Sequence, residues 1–129
     1  MIERKNSPGL SEPPGYSHVV VASGGRLVTP AGAVPLDAEG NLVGPGDPVA
    51  QAGKAIDNLE LALATAGATA RDVVKTTVYV VSEDRSELGD VWGMVQRSGM
   101  ADAASTLLGV SLLGYEGQLV EIEAIAVLD

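Results

Sequence analysis

Residues 117–127, GQLVEIEAIAV, form an apolar run broken by two carboxylates. In a strand the side chains alternate, so Val120, Ile122, Ala124 and Ala126 make one wholly apolar face. Glu121 and Glu123 share the other face with Leu119, Ile125 and Val127. That second face is either washed by solvent or lines a site. DVVKTTVYVV, residues 72–81, reads as a strand of β-branched residues. In regular alternation Val74, Thr76, Val78 and Val80 face one way, and Lys75, Thr77, Tyr79 and Val81 the other. Two further strands are expected at HVVVASGGRLVTPAG, near 18–23 and 26–31, as a hairpin around Ser23-Gly24-Gly25. ASTLLGVSLL, starting at Ala104, supplies another strand before the last one.

Helical periodicity is clearest after Asp47. Ala52, Ile56, Leu59, Leu63 and Ala66 recur at spacings of three and four. Asp47 is a good N-cap, Pro48 fits the first helical position, and Gly67 is a C-terminal stop. A second helix starts near Asp84, with Glu87 completing a D-x-x-E capping pattern and a stripe of Leu88, Val91, Trp92 and Val95. Gly89 and Gly93 weaken it by roughly 1 kcal/mol each relative to Ala. Residues 1–15 read as an irregular lead-in, and residues 34–48 as a turn-rich connector with a short strand pair around Glu39-Gly40-Asn41. The order is β-β-α-β-α-β-β in a single domain, 1–129. Two helices cover only one face of such a sheet. The other face carries Lys75, Thr77, Tyr79, Glu121, Glu123, Ile125 and Val127, too apolar for simple solvation and too charged for a dry core. A subunit interface with ligand clefts at its edge is the natural reading.

Composition narrows the function. The 129 residues are 46% hydrophobic and 19% charged, with no Phe, one Trp and three Tyr, so no aromatic row is available for stacking bases. A net charge of −9 repels a phosphate backbone, which disfavours nucleic acid as a partner. The absence of cysteine excludes disulfides, a thiol nucleophile and Cys-ligated zinc. No His/Asp/Glu cluster has metal-ligand spacing. The first residues lack a continuous apolar signal core and no run is long enough to span a membrane, so a cytoplasmic protein with no membrane partner is expected.

The pieces GYSH, TPAGAVPLD, AIDNLELALATAGATARDVVKTTVYV and LVEIEAIAVL, in this order from about Pro14 to Leu128, resemble the Rid family of reactive-intermediate deaminases, also called YjgF-like proteins. The resemblance implies an α+β, chorismate-mutase-like fold: a mixed sheet with two helices on one face. It also implies a homotrimer whose sheets form a barrel, with small-molecule ligands in clefts between subunits. Such proteins hydrolyse enamines and imines, among them 2-aminoacrylate, without metal or organic cofactor. By the same resemblance Glu121 matches the glutamate that positions or activates water. Tyr16 matches the tyrosine of a PYS or PYV motif, with Gly15 in place of its proline. Gly32 matches a glycine whose backbone lies against the ligand.

The departures matter as much. The arginine that holds a substrate carboxylate in those deaminases corresponds to Ala104, immediately before Ser105-Thr106. Thr106 stands where a cysteine is common, and Gly89 where an asparagine is. Ala104 and Thr106 therefore remain candidate ligand-facing positions without the guanidinium. Glu123 is expected to be structural, paired with Lys75, and His18, the only histidine, to be structural as well. Three functions stay open: imine or enamine hydrolysis of a substrate other than a small 2-imino acid, a non-catalytic metabolite-binding or regulatory trimer, and ribonuclease activity, against which the acidic charge and the lone His argue.

Overall fold

The computed structural model describes all residues, 1–129, and its element order is β1 (Ile2–Lys5), β2 (Val19–Ala22), β3 (Arg26–Val28), α1 (Pro48–Thr65), β4 (Val73–Val81), α2 (Arg85–Gln96), β5 (Ala104–Val110) and β6 (Val120–Leu128). Four strands form a mixed sheet in the order β3-β6-β4-β5, with β4 and β5 parallel and the other pairs antiparallel. Helix α2 is the crossover that a parallel pair requires. Strands β1 and β2 form a separate antiparallel pair.

Helix α1 begins and ends where its residues dictate. The Asp47 side chain accepts the Ala50 N–H at 3.1 Å, and Pro48 fills the first turn. At the other end Gly67 takes φ +79°, and the Ala68 N–H reaches the Leu63 carbonyl at 2.9 Å, a Schellman closure. The buried stripe is Ala52, Ala55, Ile56, Leu59 and Leu63. It packs with Val91 and Val95 of α2 against Val78, Val80, Val120, Ile122, Ala124 and Ala126. Both helices thus cover a single sheet face, giving the expected α+β architecture.

Several expectations need correction. The hairpin over 18–31 does not form, because its two strands pair elsewhere. Strand β2 pairs with β1, and β3 with the end of β6. At Gly25 (φ +76°) the backbone lies so close to the Leu128 carbonyl that a Cβ would collide with it. The chain therefore docks on the C-terminal strand and does not fold back. Residues 2–5, inside the irregular lead-in, supply the partner that β2 needs. Finally, Val74 does not share a face with Thr76. An irregularity between Val73 and Lys75 buries Val73 in its stead and restores alternation from Lys75 onward. The strand pair around Glu39-Gly40-Asn41 is a single bridge, Leu36 to Leu42.

The D-x-x-E pattern at α2 also works differently from a simple capping box. Asp84 accepts from the Ser86 N–H at 2.8 Å, but Glu87 accepts from the Ser82 hydroxyl at 2.7 Å. Ser82 Oγ in turn accepts the Asp84 N–H at 2.9 Å. A serine relays what the glutamate would have reached directly.

Candidate functional site

The open sheet face is organised in three cross-strand rows set by the registers of β5, β4 and β6. The first row is Ala104, Lys75 and Ile125; the second is Thr106, Thr77 and Glu123; the third is Leu108, Tyr79 and Glu121. None of these nine residues is buried. Leu108 and Ile125 are 42% and 38% exposed, and Leu27, opposite Val127 at the end of the sheet, is 70% exposed. A face this apolar, carrying an ammonium, a phenol and two carboxylates, has the mixed character of a surface meant to be covered.

Glu121 is held, not free. Gln118 donates its amide to Glu121 Oε1 at 3.0 Å and to the Val120 carbonyl at 3.0 Å, while its own oxygen accepts the Tyr115 N–H at 3.1 Å. Gln118 is 97% buried and spends its hydrogen-bonding capacity on this one orientation. The other carboxylate oxygen, Oε2, lies over Gly32, where any Cβ would strike it. The bare backbone of Gly32 leaves room for this approach of Glu121. An antiparallel bridge next to it, Ala33 to Ile122, fixes the loop against β6 at N···O distances of 2.7 and 3.1 Å. Farther back, the fully buried Gln51 of α1 donates to the Gly44 and Gly117 carbonyls, both at 3.1 Å, and accepts the Leu119 N–H at 2.7 Å. It anchors the chain just before β6.

Ala104 and Thr106 stand at the opposite edge. Ala104 opens β5 directly beside Lys75 of β4. The Lys75 ammonium donates to Thr106 Oγ1 at 3.0 Å and pairs with no carboxylate. The expected Lys75–Glu123 ion pair does not form, because Glu123 accepts the Tyr79 hydroxyl at 2.6 Å. That hydrogen bond raises the Tyr79 phenol above its usual value of 10.0; desolvation and the negative charges of Glu123 and Glu121 push in the same direction. Lys75, Thr77 and Glu123 face a cleft of about 230 Å³ with Thr29, Pro30 and Ile125.

Tyr16 lies around the same edge but toward the helices. Its ring meets Trp92 edge-on with centroids 6.2 Å apart, and the two line a small cleft with Pro14, Ser105 and Leu107. The segment is fixed by Ser17, whose hydroxyl donates to the Asp102 carbonyl at 2.6 Å and whose N–H reaches the Ala103 carbonyl at 3.3 Å. His18 has no free nitrogen. Its Nδ1 accepts the Ser7 N–H at 3.0 Å, which leaves Nε2–H to donate to the Ser11 carbonyl at 2.8 Å. It pins the lead-in.

One chain therefore brings Glu121 and Gly32 together, and separately Ala104, Thr106 and, around the edge, Tyr16. Two strand spacings and four residue rises put the α-carbons of Ala104 and Glu121 about 17 Å apart. The two groups therefore stand at opposite corners of the open face. Gln118, Gln51 and Lys75 are the residues that the sequence reading did not single out as site components. Gln51 carried a signal, a polar side chain within the apolar stripe of α1; Lys75 carried none without the β4–β5 register.

No helix is long and apolar enough to cross a membrane. The endoribonuclease L-PSP family model matches residues 10–128. Protein DfrA of Myxococcus xanthus is 34% identical over 113 residues, covering 87% of this chain and 84% of that protein. The RutC family protein UK114 of Drosophila melanogaster is 36% identical over 112 residues, 86% of this chain and 78% of its own length. Among solved structures, the Rid-family protein YyfB of Yersinia pestis superposes with a TM-score of 0.92 at 36% identity, covering 98% of both chains. TdcF of E. coli, solved with bound serine, gives a TM-score of 0.70 at 25% identity, covering 100% of this chain and 98% of its own. Matched along nearly its whole length by model, relatives and fold, this chain belongs to the Rid, or YjgF-like, family that the endoribonuclease L-PSP model describes.

Proposed function

We propose that the protein is a homotrimeric hydrolase of imines or enamines, with its small-molecule site in clefts between subunits. Glu121 handles water there. The observation that carries this reading is the tethered carboxylate: Oε1 is held by Gln118, and Oε2 is left without a hydrogen bond over the Gly32 backbone. A C=N carbon is already electrophilic, so its hydrolysis needs a positioned base and little else. Glu121 Oε2 accepts a proton as water adds to that carbon. Glu121 returns that proton to the carbinolamine nitrogen; ammonia leaves as the hydroxyl proton passes back to the carboxylate, and a ketone remains. An enamine enters the same path after protonation at carbon.

The trimer follows from the open face and from the 17 Å gap. Three such faces packed together bury Leu108, Ile125 and Leu27 and bring the Glu121 end of one subunit toward the β5 edge of its neighbour. TdcF, solved with bound serine, supports a small polar ligand. With Ala104 in place of arginine, a small 2-imino acid loses a bidentate partner worth roughly 1.5–3 kcal/mol. The preferred substrate is therefore another imine.

Ala104 also favours a second reading, a trimer that binds a metabolite without turning it over. Ammonia release, followed with enzymatically generated imines of differing charge and size, separates the two. Turnover of at least one imine well above the spontaneous rate is expected. Ligand binding with no turnover of any would establish the second reading.

A further inference from the structure

The missing guanidinium leaves an anion site that is changed, not erased. Lys75 stands directly across from Ala104, its ammonium is 3.0 Å from Thr106 Oγ1, and it forms no ion pair with a carboxylate. The direction of that hydrogen bond matters. Thr106 Oγ1 accepts from Lys75, so its own O–H is free to donate outward, and the ammonium keeps further N–H groups of its own. Two donors of different residues thus stand side by side on the exposed face, and Lys75 itself lines the cleft. Thr29 and Thr77 add hydroxyls to the lining. One carboxylate, Glu123, also lines the cleft; it accepts the Tyr79 hydroxyl, keeps its negative charge, and makes no ion pair with Lys75.

We infer that Lys75 and Thr106 together form the anion anchor of the ligand site, taking the carboxylate of an oxo or imino acid through one ammonium N–H and one hydroxyl O–H. This rests on the proposed inter-subunit small-molecule site but not on any turnover there. It replaces the single planar fork of an arginine with a point charge and a polarised hydroxyl on two neighbouring strands. The ammonium is compact and rotatable, so the anchor tolerates carboxylates at varied distances from the reacting carbon, where a guanidinium would fix one geometry. An anionic substrate is thereby retained while the selection for small 2-imino acids is relaxed.

Binding is the readout, because it separates this anchor from the proposed hydrolysis. Hydrolysis of 2-aminoacrylate yields pyruvate, so pyruvate and the longer 4-oxopentanoate serve as probes, each compared with its neutral amide by calorimetric or NMR titration of the whole protein. At least one acid should bind ten-fold or more tightly than its amide. Lys75→Met should erase that preference, Lys75→Arg should keep it, and Thr106→Val should reduce it several-fold. Folding of each variant is checked by its circular dichroism and oligomeric mass. Equal binding of acid and amide to the native protein, binding of neither acid, or an undiminished preference in Lys75→Met or Thr106→Val would overturn the assignment. Absence of ammonia release with the acid preference intact would sink the hydrolase reading alone.

Discussion

At one end of the open sheet face, the Glu121 carboxylate is tied by Gln118 and pressed against Gly32. At the other, Ala104 and Thr106 sit beside a lysine that makes no ion pair. The two ends differ in how their chemistry is supported. Glu121 is held by a buried glutamine whose every hydrogen bond is made within the chain, and behind it Gln51 secures the same loop from α1. Position 104 has no such scaffold; it lies on an edge strand, next to side chains that reach outward. A water-handling group must keep its orientation to within a fraction of an ångström. An anchor for ligand charge can be rebuilt from a neighbouring cation. The fixed geometry at the first end and the freely reaching side chains at the second are the two sides of that difference.

Breaking the proposed assembly should have the largest effect, because it separates the two ends from each other. Leu108→Asp places a charge on the exposed edge strand of the face, beside Tyr79 and in the same cross-strand row as Glu121. It should convert the trimer to monomers by light scattering and lower hydrolysis by at least about a hundred-fold, since positioning alone contributes several kcal/mol. The far-UV spectrum should be unchanged. An active monomer would show that one chain holds a complete site.

Ala104→Arg sharpens the contrast from the other side. It should raise hydrolysis of 2-aminoacrylate, for which the native protein should be poor, by about ten-fold. The full gain of a bidentate pair is not expected, because the new guanidinium would face Lys75 across the strands and like charges there oppose each other. Collapse onto Glu121 of the same chain is not the danger, as that carboxylate lies two strands away. In the proposed trimer, however, the neighbour's Glu121 comes toward this edge and would also compete for the guanidinium. Ammonia release from enzymatically generated 2-aminoacrylate measures the change, and no gain would mean that position 104 does not meet the ligand.

The smallest effect belongs to Glu123. Glu123→Gln should lower the melting temperature by a few degrees at most and leave the hydrolytic rate nearly unchanged. Its signature is spectroscopic. The hydrogen bond to Glu123 holds Tyr79 protonated above its usual pKa of 10.0. The resulting stabilisation is present below that pH and fades as pH rises through the raised value. In Glu123→Gln the alkaline absorbance transition of Tyr79 should move down. A rate loss larger than that of Glu121→Gln would exchange the roles assigned to the two acids.

Much of the frame was legible in local pattern. Asp47, Pro48 and Gly67 delimit α1 because capping chemistry is local, and the alternation of Val120 to Ala126 names the buried face of β6 without any partner. What failed depended on pairing. Ser23-Gly24-Gly25 reads as a hairpin turn, and both glycines do take positive φ. Nothing nearby reveals that Ile2–Lys5 and the C-terminal strand compete for the flanking segments. The irregularity at Val73/Lys75 inverts Val74 for a similar reason. As candidates for the site, Glu121, Gly32, Ala104 and Thr106 come from the family resemblance. Lys75 emerges only once the register sets it opposite Ala104, and Gln118 only once its amide is seen to reach the carboxylate. The expected pairing of Lys75 with Glu123 was charge-plausible, but each side chain found a hydroxyl nearer.

The central claim is that Glu121 activates water for C=N hydrolysis in an intact trimer. It is tested most directly by ammonia release under single-turnover conditions, native protein against Glu121→Gln, with the best imine substrate and with oligomeric mass recorded on the same samples. The variant keeps shape and can still be held by Gln118, but it cannot take a proton. The account predicts a rate loss of about a hundred-fold or more, the usual contribution of a positioned general base, with the trimer intact. A folded, trimeric Glu121→Gln protein that turns over within a few-fold of native would contradict it.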